Sequence, residues 1–242
     1  MSEALLDVVS VNTFYGEFRA LFDVSLVVQT GQCVALVGSN GAGKSTLLKT
    51  IAGALSPRSG QVKLEGLTIA GAEAQDVVKR GIALVPEGRR LFRSLTVEEN
   101  LLMGAQSGRQ GAWSLERIYA LFPNIADRKR HLGSELSGGQ QQMVAIGRAL
   151  MSNPEILLCD EISLGLAPIV VRELYQRLAS IQEEGMAMVI VEQDIAQAMR
   201  VADRLYCLRS GRVALEGSPD ELNRSAITEA YFGLKSGINA TL

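Results

Sequence analysis

The sequence predicts an α/β fold with a mainly parallel core sheet, a peripheral antiparallel β subdomain and a helical insertion. Three observations carry this reading. The apolar runs Cys33–Val37, Ile156–Cys159 and Met188–Val191 are unbroken, as strands covered on both faces by helices must be. Helical stretches follow such strands, at Lys44–Ala54 and Val170–Glu184, and repeated strand–helix alternation builds parallel sheets. Between about 88 and 150 no convincing strand appears and helical periodicity takes over.

Taken in order, Leu5–Val11 and Val24–Val28 alternate apolar and polar residues, the pattern of a peripheral antiparallel sheet. Cys33–Val37 is the first buried strand, and Gln61–Leu64 and Ile82–Val85 add two more short runs. Thr96-Val-Glu-Glu99 has capping-box spacing and opens a helix over Val97–Met103. A second helix covers Leu115–Leu121 and stops near Pro123, and a third runs over Gln141–Met151. Strands at Ile156–Cys159, Met188–Val191 and Leu205–Leu208 return the chain to the sheet. With no repeat, low-complexity tract or long linker, 1–242 is expected to be one unit. Its core comprises 1–87 and 151–242, and the helical subdomain about 88–150.

The 47% hydrophobic share fills a sizeable core, and 24 basic against 26 acidic residues leave a net charge of −2. No overall field recruits nucleic acid or anionic lipid, so nucleic acid is not an expected partner. Cys33, Cys159 and Cys207 lie far apart inside apolar runs, which argues against a disulfide framework or structural zinc and fits a reducing cytoplasm. MSEALLDVVS lacks a basic segment followed by an apolar stretch, so no signal peptide is expected. No apolar run approaches the ~20 residues that cross a bilayer. The chain is expected to be soluble by itself, held at any membrane by another chain.

Gly38-Ser39-Asn40-Gly41-Ala42-Gly43-Lys44-Ser45 fits GxxxxGK[ST] directly between a buried strand and a helical stretch. The glycines let the backbone turn tightly and bring successive N–H groups towards one anion, beside the positive end of the helix. Lys44 supplies a point charge for the β- and γ-phosphates, and the Ser45 hydroxyl suits Mg²⁺. A bare glycine turn capping a helix is the bland alternative, and the strand–loop–helix context weighs against it.

Ile156-Leu-Leu-Cys-Asp160-Glu161 is a buried strand ending in two carboxylates. Ligands of open α/β sheets gather beyond the carboxyl ends of strands, which brings Asp160 near the phosphate loop to hold Mg²⁺ through water. Glu161 can then orient or deprotonate an attacking water. A solvated strand end is the competing reading.

Leu136-Ser137-Gly138-Gly139-Gln140 precedes a long helical run and repeats the physics of the phosphate loop. A second anion site is surplus in a chain acting alone, and serving the nucleotide of a second chain resolves this. With phosphate loop, LSGGQ signature and apolar-DE strand in this order, the sequence resembles an ABC-transporter ATPase subunit over nearly its whole length.

That resemblance implies a P-loop NTPase fold and two ATPase domains paired head to tail, each signature closing over the γ-phosphate held by the other. It implies ATP and Mg²⁺ as cofactors, with phosphates along 38–46 (through Thr46) and Mg²⁺ on Ser45 and, through water, Asp160. Tyr15, in Phe14-Tyr15-Gly16, matches the aromatic that stacks on adenine, with a half-buried strand-end tyrosine as the alternative. Val85-Pro-Glu-Gly-Arg-Arg-Leu-Phe92 occupies the hinge between core and insertion. Arg89 and Arg90 there either offset Glu87 near the triphosphate and its metal, or face a permease, or form a solvated pair.

Four positions depart from the common pattern of that family. Glu87 replaces a glutamine, Ile162 a frequent proline, Ala167 an aspartate, and Gln193 the histidine that usually contacts the γ-phosphate. His131, the sole histidine, is read as an exposed helix-end residue. The combination VPEGRR, LSGGQQQM, SLGLAP and VEQ is similar to the second ATPase of high-affinity branched-chain amino-acid importers. That similarity implies a second ATPase subunit (hetero- or homodimer), two integral-membrane permeases, and indirectly a solute-binding protein. It also implies a site at the cytoplasmic face of the inner membrane. A urea importer shares much of the pattern. A soluble ABC ATPase of DNA repair or translation, a non-hydrolysing scaffold and a lipopolysaccharide-type exporter are the rivals.

Overall fold

A long antiparallel hairpin, β1 (Leu6–Tyr15) and β2 (Phe18–Val28), forms the first layer. The computed structural model of the protein describes residues 4–222 and 224–232. Both strands exceed the alternating runs legible in the sequence. Ser10 (φ 46°) and Asp23 (φ 52°) adopt left-handed backbone, and register shifts interrupt the pairing, so the period of two slips midway.

The buried strand β3 (Cys33–Val37) leads into α1 (Lys44–Ile51), shorter than the Lys44–Ala54 expected because Gly53 turns the chain at φ 72°. β4 (Ser59–Leu64) and β5 (Leu67–Thr68) complete the four-stranded antiparallel sheet in the order β2-β1-β4-β5. A short helix α2 (Ala74–Lys79), absent from the sequence reading, precedes β6 (Ile82–Val85).

From there the chain is helical: α3 (Val97–Ala105), α4 (Leu115–Leu121), α5 (Pro123–Ala126), a 3₁₀ turn at Gly133–Glu135, and α6 (Gly138–Leu150). The Thr96 capping box forms as its spacing predicts, with the Glu99 N–H donating to the Thr96 hydroxyl and the Thr96 N–H to the Glu99 carboxylate. Pro123 ends one helix and occupies the first turn of the next, where its missing N–H costs nothing. His131 is not at an exposed helix end. It is a half-buried turn residue whose carbonyl accepts from the Val97 N–H, because Leu132 bridges to Thr96 and draws this turn against the start of α3.

β7 (Ile156–Asp160), α7 (Pro168–Glu183), β8 (Ala187–Glu192), α8 (Ile195–Val201), β9 (Arg204–Arg209), β10 (Arg212–Gly217) and α9 (Arg224–Phe232) finish the described chain. The second sheet has six strands in the order β10-β9-β3-β8-β7-β6, parallel except for the edge strand β10.

Within its unbroken apolar strands, alternate side chains serve opposite faces. Val34, Leu36, Ile156, Leu158 and Val189 pack towards α1 and the antiparallel sheet, whereas Leu157, Cys159, Met188 and Ile190 pack towards the helical segment and α7. Each fully buried aliphatic side chain contributes about 1.5–3 kcal/mol, so a polar residue in any of these runs would be costly. The three cysteines are buried free thiols, and burial pushes Cys207 up to about 11, so none is a ready nucleophile. No helix among the described residues is long and apolar enough to cross a membrane.

Candidate active site

Parallel register brings the carboxyl ends of three strands side by side, pairing Val37 with Glu192 and Val191 with Asp160. Loops from β3, β7 and β8 therefore leave the sheet at one edge. They border an open cleft of about 920 Å³, lined by Tyr15, Asn40, Gly41, Gly43–Thr46, Glu87, Glu161 and Gln193 among others.

The phosphate loop is wedged in place. At Gly38 (φ 153°) a Cβ would stand 2.3 Å from the Leu208 carbonyl oxygen, so only glycine fits. The Ala42 N–H donates to the Ser39 carbonyl at 3.0 Å, closing the turn before Leu47 N–H to Gly43 O starts α1. From behind, the Gly211 N–H donates to the Ala42 carbonyl at 2.9 Å, and Gly211 in turn accepts from the Phe22 N–H at 2.8 Å. Lys44, only 4% exposed, folds over the loop and donates from Nζ to the carbonyls of Gly38 (2.7 Å) and Ser39 (3.2 Å).

Across the cleft floor the Ser45 hydroxyl donates to Asp160 Oδ1 at 2.9 Å. Burial raises the Asp160 pKa, the Ser45 bond opposes that, and the charges of Glu161 and Glu87 raise it further. Two hard oxygen donors in contact, with carboxylates that repel one another, fit Mg²⁺. No cluster of three His, Cys, Asp or Glu side chains suited to a metal occurs among the described residues.

Glu161 sits at φ 49°, a left-handed conformation that costs a glutamate about 1–3 kcal/mol and typically marks a functional turn. Its Oε1 is 3.7 Å from Lys44 Nζ, and its Oε2 accepts from the Gln193 amide at 2.6 Å. Tyr15 is 45% exposed at the cleft wall, with Oη 3.4 Å from Thr46 Oγ1, beside the exposed ring of Phe18. Glu87 is exposed at the rim. Of the two arginines beside it, Arg90 donates to the Glu87 backbone carbonyl at 3.4 Å and Arg89 reaches Gln141 Oε1 at 3.2 Å.

The signature residues lie elsewhere. Ser137 caps α6, accepting from the Gln140 N–H at 3.3 Å while Gln140 Oε1 accepts from the Ser137 N–H at 3.0 Å. Ser137, Gly139 and Gln140 border a separate shallow depression with Asn124, Asp127 and Glu173, and none of 137–140 lines the nucleotide-sized cleft. A Cβ at Gly139 would stand 2.8 Å from Val170 Cγ1 and force a shift, whereas one at Gly138 would meet only the mobile guanidinium of Arg89 at 3.1 Å.

The sequence model described as "ABC transporter" matches residues 21–163. The chain belongs to the ABC transporter family. It is 42% identical over 226 residues to the high-affinity branched-chain amino acid transport ATP-binding protein BraG of Pseudomonas aeruginosa, covering 92% of this chain and 97% of BraG. With the lipopolysaccharide export system ATP-binding protein LptB of Haemophilus influenzae it shares 30% over 228 residues, 90% of this chain and 93% of LptB. Its fold also matches the dimeric post-hydrolysis cassette MJ0796 bound to ADP and Pi, with a TM-score of 0.78, 30% identity, and 88% and 98% of the two chains covered. This chain is accordingly an ABC transporter ATP-binding subunit, an ATPase whose hydrolysis drives transport.

In this ABC ATPase one cleft gathers Tyr15, the 38–46 loop, Glu87, Asp160, Glu161 and Gln193, and leaves 137–140 on another surface. Sequence reasoning missed two contributors. Phe18, Arg19 and Phe22 of β2 form part of the cleft wall. Ser210–Gly211 buttresses the phosphate loop, and a Ser-Gly pair between two apolar runs is a hairpin signal.

Proposed function

We propose that this ABC ATPase energises uptake of branched-chain amino acids through two permease subunits at the cytoplasmic face of the plasma membrane. It would pair with a second ATPase subunit and receive solute from a binding protein. The solute assignment rests on the 42% identity to BraG over nearly both chains, against 30% to the lipopolysaccharide protein. The head-to-tail pairing is supported by one observation above all. The signature turn and the phosphate cleft lie on different surfaces of one chain, so each needs a complement.

In this reading adenine rests on Tyr15 and the triphosphate follows Gly38–Thr46, with Lys44 swinging from the loop carbonyls onto the β- and γ-phosphates. Ser45 and, through water, Asp160 would hold Mg²⁺, with Glu87 as a further candidate carboxylate, and the ion would neutralise charge developing on the phosphates. The signature turn of the partner cassette caps the γ-phosphate and excludes bulk water, and Ser137–Gln140 of this chain does the same for the partner's nucleotide. Glu161 takes a proton from the remaining water, whose oxygen attacks the γ-phosphorus as the bond to ADP breaks. Gln193 steadies the Glu161 carboxylate. Release of the products lets the pair part, and the 86–92 hinge carries that motion through the 88–150 helical subdomain to a permease.

The test is co-purification with the membrane subunits encoded beside it, followed by ATPase assays in lipid with the binding protein. Stimulation by leucine, isoleucine or valine is expected. Stimulation by urea alone, or by lipopolysaccharide alone, would reassign the solute.

A further inference from the structure

Glu192 is a carboxylate that the hydrolytic scheme leaves without a task, and it lies deep inside the protein at 3% exposure. Burying a charged group at the end of β8 is costly unless it is fully hydrogen-bonded. Here it is. The Tyr175 hydroxyl of α7 donates to Oε1, the Ser163 hydroxyl donates to Oε2 at 2.9 Å, and the Gln193 backbone N–H also donates to the carboxylate. Burial raises its pKa, and the hydroxyls of Tyr175 and Ser163 pull it back.

These contacts close a ring. Glu161 is two residues from Ser163 along the chain, Ser163 bonds Glu192, Glu192 is covalently joined to Gln193, and the Gln193 amide returns to Glu161 at 2.6 Å. Tyr175 anchors the ring to α7, and its own oxygen is buried with it. A hydrophobic residue at 192 would fill the space, but it could not hold the 161–167 loop and the Gln193 backbone to a common point.

We infer that Glu192 is a positioning residue for hydrolysis. Its carboxylate clamps Ser163, Gln193 and Tyr175 so that the Glu161 carboxylate and the loop leading to Ala167 keep a fixed relation. The inference rests on Glu161 being the base, and it concerns how that base is aimed. A displacement of about 1 Å at a reacting group costs on the order of 100-fold, so the expected losses lie between about 10- and 100-fold.

The experiment measures ATP hydrolysis by the chain in its transporter complex, with Glu192→Gln, Tyr175→Phe and Ser163→Ala compared singly. Each should lower kcat by about 10- to 100-fold with KM and ATP affinity unchanged. In nucleotide-free chain, amide exchange in 161–167 and at 193–194 should quicken in Glu192→Gln while the β3–α1 region keeps its protection. Added to Glu161→Gln, none of the three should cost anything further in single-turnover hydrolysis, because they act through that base. Full kcat in Tyr175→Phe and Ser163→Ala would overturn the clamp, as would additive losses on the Glu161→Gln background. If Glu192→Gln does not fold, those two hydroxyl deletions still decide the matter. A normal rate in Glu161→Gln alone would instead remove the base and leave the clamp without its object, a separate failure.

Discussion

Gln193 donates its side-chain amide to Glu161 across 2.6 Å, so the carboxylate at the end of β7 and the amide just beyond β8 are in direct contact. An amide in that place holds a carboxylate without competing for its proton. The contact bears directly on two variants, Glu161→Gln and Gln193→His.

Replacing Glu161 with glutamine removes the base and keeps the shape. ATP binding is expected to survive, turnover to fall by about 10²–10⁴-fold, and an ATP-dependent dimer to accumulate. Phosphate release and size-exclusion chromatography with and without ATP measure both halves.

Gln193→His introduces a group that titrates near pKa ~6.5 beside a carboxylate. The wild type should show no step attributable to position 193, whereas the variant should gain one in its kcat–pH profile between about pH 6 and 8. Superimposable profiles would remove the amide from the account of Glu161.

Asp160 carries the cost of its own burial. Its pKa is raised in the folded state, so the native protein binds more protons than the unfolded chain as pH falls towards that value. The group therefore lowers stability as pH rises through and above the ordinary carboxylate range, and relieves it at lower pH. Asp160→Asn, which can still accept from Ser45, should raise Tm at pH 7 by about 2–4 °C, corresponding to about 1 kcal/mol. The same variant should lose Mg²⁺-dependent hydrolysis. Calorimetry at pH 5 and pH 7 checks the sign, since the gain should shrink at the lower pH.

Glu87 stands close enough to Asp160 to raise its pKa. If that charge helps retain Mg²⁺, Glu87→Gln should need several-fold more Mg²⁺ for half-maximal ATPase activity at unchanged maximal rate. A lower maximal rate at an unaltered Mg²⁺ requirement would assign the residue to the hinge.

Much of this architecture was legible because its signals are local. Gly38–Ser45 carries its strand and helix on either side, and Thr96–Glu99 caps its helix through residues three apart. The strand ends at Asp160 and the LSGGQ turn were readable for the same reason. What escaped depends on distant contacts. Bulges at Ser10 and Asp23 break the alternation of β1 and β2, hiding how far both strands run. Edge strand β10 is short and only half-buried along its length, so its pairing with β9 is what defines it. Glu192 looked like one more polar residue at a strand end, because Tyr175 and Ser163 approach it from other elements.

The bracing of Ala42 by Gly211, and of Gly211 by Phe22, has a practical corollary for anyone trimming this protein. A fragment ending after Gln193 would retain every recognisable sequence signature. It would also lack the Leu208 carbonyl against which Gly38 is seated and the rear support of the whole nucleotide cradle. Such a fragment should grip ATP far more weakly than the intact chain, and equilibrium dialysis would reveal the deficit.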